Sequence, residues 1–142
     1  MAGLILDSDA LLAIMNAEDK HHKSIKKRLL QNSESLSISV VTYSEALVYP
    51  FEKDNFPAIS EGIKNLVDEI LDVTESIATK AAQLRAASKV KLPDALIAAT
   101  AMEKGLTLLT FDEKLARKTP GRNFSLHRGL PMRGWFWRSL FI

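Results

Sequence analysis

The stretch Leu4-Ile5-Leu6-Asp7-Ser8-Asp9-Ala10-Leu11-Leu12-Ala13-Ile14 decides the fold. Three apolar residues end at an acid and helix formers resume just beyond it, which reads as strand, turn, helix. Downstream the same order recurs. Leu36 to Val41 is short and β-rich, and Thr42 opens a helix expected to run to Tyr49 and stop before Pro50. Leu106 to Leu109 forms a further strand after Gly105, a helix stop, and Thr110 or Asp112 then caps a short helix through Arg117. Between these lie an amphipathic helix over Asp19 to Gln31 with Asp19 as N-cap, a helix over Pro57 to Glu69, a strand at Ile70 to Val73, a helix over Glu75 to Val90, and one that begins at Pro93. Short apolar strands alternating with helices predict an α/β protein: a three-layer α/β/α sandwich with a mostly parallel central sheet of four to five strands.

The chain has 142 residues, 46% of them hydrophobic and 25% charged, enough for one domain with a core that needs no disulfide or structural metal. It has no cysteine, which excludes cysteine-ligated zinc, iron–sulfur clusters and thiol nucleophiles and fits a reducing cytoplasm. No apolar run nears the ~20 residues of a membrane span, and Met1 to Leu6 lacks the features of a signal peptide, so a soluble cytoplasmic protein without membrane contact is expected. The net charge of +2 conceals an asymmetry. Residues 1–116 carry 13 basic and 17 acidic side chains, whereas residues 117–142 carry six basic side chains and no acid. Residues 1–128 are expected to form the domain and residues 129–142 a basic aromatic tail. In that tail Arg133, Trp135, Trp137 and Arg138 are candidate substrate-binding residues, because aromatics interleaved with arginine stack on unpaired bases and hold phosphates. The competing reading packs the same aromatics on the domain or on a second subunit.

Four acids stand where strands end and helices begin: Asp7, Glu45, Asp94 and Asp112. Each has a structural reading. Thr42 with Glu45, and Thr110 with Glu113, match the capping box, while Asp7, Asp9 and Asp112 suit a helix N-cap and Asp94 a first helical turn. Taken together they point elsewhere. In open α/β sheets ligands bind beyond the carboxyl ends of the strands, and Asp7, Glu45 and Asp112 each follow a strand. Asp94 follows a helix and is left unplaced by this argument. Converging carboxylates take up protons or recruit a cation, and oxygen ligands select a hard ion, Mg²⁺ or Mn²⁺.

Asp7-Ser8-Asp9, Ser44-Glu45, Pro93-Asp94-Ala95-Leu96-Ile97-Ala98-Ala99 and Thr110-Phe111-Asp112 resemble, in order and spacing, the acidic motifs of PIN-domain nucleases, most closely the VapC-type toxins of toxin–antitoxin pairs. The resemblance runs from about Leu4 to Leu115. It implies a metal-dependent endoribonuclease in which Asp7, Glu45, Asp94 and Asp112 hold Mg²⁺ or Mn²⁺ and act on RNA, with Ser8 and Thr110 as supporting polar groups. It also implies a homodimer and a cognate antitoxin laid across the acidic groove. Asp9 departs from the family's usual Asn or Ser, as a fifth carboxylate of the site or a helix cap. The closing strand of the family is available only in Asn123 to His127, and residues 129–142 have no counterpart. Two other readings stand beside this one. Leu6-Asp7-Ser8-Asp9 also resembles the opening Asp-x-Asp of haloacid-dehalogenase-like phosphatases, with Asp7 as covalent nucleophile, although that group's paired acids in a Gly-Asp-type loop are missing. The other is a catalytically silent PIN-like binding domain, against which the intact acids argue. His21, His22 and His127 supply no rival pair of acid and base.

Overall fold

The first strand, β1 (Leu4–Leu6), is inaccessible to solvent along its whole length, as an apolar run covered on both faces must be. The structure, a computed structural model, describes residues 3–31, 34–120 and 123–125. After β1 come α1 (Ser8–Met15), α2 (His22–Leu30), β2 (Leu36–Ser39), α3 (Val40–Glu52), α4 (Phe56–Leu66), β3 (Glu69–Leu71), α5 (Glu75–Ser88), α6 (Leu92–Lys104), β4 (Thr107–Thr110), α7 (Glu113–Lys118) and β5 (Asn123–Ser125). The five strands form one parallel sheet in the order β3-β2-β1-β4-β5, at the upper end of the expected number. β1 is its centre: Leu4, Ile5 and Leu6 pair with Leu36, Ser37 and Ile38 on one side and with Thr107, Leu108 and Leu109 on the other.

Alternate residues of β1 enter different cores. Leu4 and Leu6 pack with Leu11 of α1, Ile25 of α2, Leu47 of α3 and Ile63 of α4. Ile5 packs on the opposite face with Ile77 and Leu84 of α5, Ile97 of α6 and Leu115 of α7. Leu109 and Leu108 divide in the same way, so the sheet lies between two helical layers as expected. Each of these buried aliphatic side chains contributes up to about 1.5–3 kcal/mol.

Several boundaries differ from the sequence reading. Helix α3 starts at Val40, because the Ser39 hydroxyl accepts from the Val41 N–H and ends β2 there. Nor does Pro50 end it. Pro50 is buried and the helix continues to Glu52, with only the final turn lacking the N–H that a proline cannot give. Asp19 is not the N-cap of α2; its carboxylate accepts from the His21 N–H, closing the turn before a helix that begins at His22. Helix α5 ends at Ser88, where Lys89 takes a left-handed conformation (φ 54°). Gly105 does the same after α6 (φ 64°), the conformation glycine adopts without steric cost. At Gly3 the requirement is space, since a Cβ there would stand 2.8 Å from the Ser35 carbonyl oxygen. The tail residues 129–142, with Arg133, Trp135, Trp137 and Arg138, lie outside the described residues, as does His127.

Candidate active site

The chain moves from β1 to β2 to β3 in one direction, then returns to place β4 on the other side of β1. A crevice is expected where the direction reverses, beyond the carboxyl ends of β1 and β4. Asp7 follows β1 directly and Asp112 lies two residues past β4. Glu45 is in the second turn of α3, which springs from the end of β2. Asp94 is in the first turn of α6. Because α6 feeds the parallel strand β4, it must start at the carboxyl edge of the sheet, a directional signal the sequence reading did not use.

Asp7 is 5% exposed and caps α1: one carboxylate oxygen accepts from the Ala10 N–H at 2.9 Å, and the other accepts a very short hydrogen bond from the Thr110 hydroxyl. Burial pushes its carboxyl up to about 7 against the pull of those two donors, and the charges of Asp9 and Asp94 add to the rise. Asp94 is also raised, first by burial and then by Asp112, Glu45 and Asp9, with Lys91 opposing. Each of the four acids, and Asp9, is therefore electrostatically tied to at least one other across elements far apart in sequence. Lys91, immediately before α6, is a cation of this neighbourhood that sequence reasoning missed.

Capping accounts for only some of these acids. Glu45 is not part of a capping box, because the N-cap of α3 is Ser39 and Thr42 is buried with its hydroxyl unpaired among the described residues. Its carboxylate instead accepts from the Ser8 hydroxyl at 2.5 Å, joining α3 to α1. Asp9 is not an N-cap either; Asp7 takes that position and Asp9 is exposed in the first turn. Asp112 does cap α7, accepting from the Lys114 and Leu115 N–H groups. Thr110 forms no capping box with Glu113: its hydroxyl donates to Asp7 and accepts from the Asp112 N–H, so one side chain links two acids of the crevice. The histidines do not converge on the crevice as a pair: His21 stacks on Phe111 and His22 hydrogen-bonds the Ala13 carbonyl. Among the described residues no group of three or more carboxylates or imidazoles is placed closely enough to hold a metal ion as it stands.

A three-layer parallel α/β sheet with carboxylates gathered at its switch point defines the class: an open-sheet domain with an acidic crevice. The chain belongs to the PIN domain family, whose model matches residues 4–119. No curated protein matches it in sequence. Among solved structures it is similar to a toxin–antitoxin complex from Klebsiella pneumoniae, with 24% identity over 87% of this chain and 98% of that one and a TM-score of 0.74. It is also similar to DNA-bound VapBC from Salmonella typhimurium, with 25% identity over 89% and 99% and a TM-score of 0.69. A third similar structure is Mycobacterium tuberculosis VapC20, described as a sarcin–ricin-loop-cleaving toxin, with 17% identity over 81% and 94% and a TM-score of 0.67.

Proposed function

We propose that the protein is a divalent-metal-dependent endoribonuclease and the toxin of a toxin–antitoxin pair. The observation that carries this is the gathering of Asp7, Asp9, Glu45, Asp94 and Asp112 at one sheet edge, where burial first and the neighbouring carboxylates second raise Asp7 and Asp94. Mutual repulsion of this kind destabilises a fold, so a reason for it is needed beyond stability. A hard cation supplies that reason. The candidate donors are all carboxylate oxygens, which suit a hard ion, and Mg²⁺ keeps several of its waters and needs only one or two of the carboxylates directly. Asp7, Glu45, Asp94 and Asp112 would hold it, and when bound it supplies activated water and neutralises charge on the phosphate.

The chain's own residues set up the rest. Thr110 and the Ala10 N–H fix the orientation of the Asp7 carboxylate, and Ser8 fixes that of Glu45. The toxin part of the reading, with a cognate antitoxin as partner, is supported by the similar structure described as a toxin–antitoxin complex; the homodimer is carried over from the family resemblance alone.

The test is cleavage of RNA and of a small phosphate ester in Mg²⁺, in Mn²⁺ and in EDTA, with Asp94→Asn as control. RNA cleavage that needs metal and Asp94 is expected, with the ester untouched. Cleavage unaffected by EDTA overturns the metal reading, ester hydrolysis alone favours the phosphatase, and no activity on either favours the silent binding domain.

A further inference from the structure

Beside the acidic crevice, on the β4 side, a cleft of about 290 Å³ is lined by Phe111, Asp112, Glu113, Lys114 and Arg117. Asp112 belongs to crevice and cleft alike. Phe111 is half-buried, and its ring lies nearly parallel to the His21 imidazole, 20° from coplanar with centroids 4.2 Å apart. Packing of Phe111 against the α1–α4 core further fixes the ring. Lys114 and Arg117 are exposed and three residues apart on α7, a spacing that puts them on one helix face.

We propose that this cleft is a nucleotide subsite, in which Phe111 stacks on the nucleobase beside the scissile phosphate while Lys114 and Arg117 hold the phosphates that follow it. This rests on the ribonuclease reading. The cleft is at the lower end of the size of ligand pockets, which suits one base and its phosphate. A phenylalanine ring has no hydrogen-bonding group, so it recognises any base through its π-face, and single-stranded substrate is favoured because a paired base is not free to enter. The cleft's own lining is balanced, Lys114 and Arg117 against Asp112 and Glu113, so unlike the acidic crevice beside it the cleft does not repel a polyanion, and its two cations are placed to meet phosphates.

The experiment measures steady-state cleavage in Mg²⁺ of a single-stranded oligoribonucleotide, and of versions with one abasic residue at each position near the cut, by the full chain, by Phe111→Leu and by Lys114→Ala/Arg117→Ala. One abasic position is expected to lower kcat/KM for the wild type by about 5- to 100-fold, the effect of losing one base stack. Phe111→Leu should lose a similar factor, chiefly through KM, and should no longer respond to that abasic position. The double charge variant should keep its abasic sensitivity but lower the slope of log kcat/KM against log salt by about 0.7 for each phosphate no longer neutralised. Wild-type cleavage that is indifferent to abasic positions, or variants that match wild type in KM and salt slope, overturns the subsite and leaves the nuclease standing. A wild type that cleaves no RNA overturns both. Should Phe111→Leu fold poorly, the abasic series and the exposed double variant still decide.

Discussion

Asp7→Asn should make the protein more stable at pH 8 and inactive at every pH. An unfolded aspartate titrates near 3.8 and the folded Asp7 near 7, a gap worth about 4 kcal/mol. Between those values the folded state holds a proton that the unfolded chain has released, so stability falls as pH rises from about 4 to 7. The amide substitution removes that dependence. It also forces a rearrangement: the side chain's single oxygen must serve the Ala10 N–H, leaving its NH₂ to face the Thr110 hydroxyl, whose oxygen already accepts from the Asp112 N–H. The Thr110 oxygen keeps a second lone pair for that NH₂, so exchanging one hydrogen bond for another of poorer geometry costs about 1 kcal/mol. The net expectation is a variant about 3 kcal/mol more stable than wild type at pH 8, a rise in Tm of about 9–15 °C for a chain this long, and slightly less stable at pH 4. Urea unfolding followed by circular dichroism in EDTA, at intervals from pH 4 to 8.5, measures this. A wild type equally stable at pH 4 and pH 8, or a variant less stable than wild type at pH 8, would refute the reasoning, since either result means Asp7 is ionised comfortably in the fold.

Millimolar Mg²⁺ or Mn²⁺ should raise the wild-type Tm, by mass action on the folded state, and leave Asp7→Asn/Asp94→Asn unmoved; equal shifts in the two proteins count against a site at these acids. Glu45→Gln, Asp94→Asn and Asp112→Asn should each remove most RNA cleavage, because residues holding one ion act as a unit, while Asp9→Asn and Ser8→Ala should be milder in a single-turnover assay. Thr42→Val should be neutral or stabilise by about 1 kcal/mol, as its buried hydroxyl has no partner among the described residues; a clear loss of stability in urea would reveal one. Deleting residues 129–142 should weaken RNA binding and flatten its salt dependence, since it removes Arg133 and Arg138, two of the six positive charges of residues 117–142, and an unchanged salt slope would remove the tail from the substrate path.

How far the sequence carried depended on whether a signal was local. Leu4-Ile5-Leu6 before Asp7, and Gly105 between helix and strand, are decided by burial and by a left-handed turn, and both were legible. Pro50 was not: its fixed φ suits a helix, and burial in the core outweighs one missing hydrogen bond near the helix end. Thr42 to Glu45 matched a capping box in letters, but Ser39 ends the strand earlier, so the box falls inside the helix where its N–H groups are already bonded. In the site, the acids that follow strands could be placed from topology alone. The positions of Asp94, of Lys91 and of the cleft at Phe111 needed the direction of α6 and the packing of α7, which no short window of sequence contains.

The hydrogen bond between Thr110 and Asp7 closes a loop of 103 residues. Its two halves leave the ribosome at opposite ends of synthesis, which at 5–20 residues per second separates them by about 5–20 s. For that interval the nascent chain carries Asp7, Asp9 and Glu45 without Asp112, and β1 without one of its two neighbours. A chain cut short anywhere before β4 therefore has its central strand paired on one side only and lacks Asp112, so the set of acids is complete only once the sheet is.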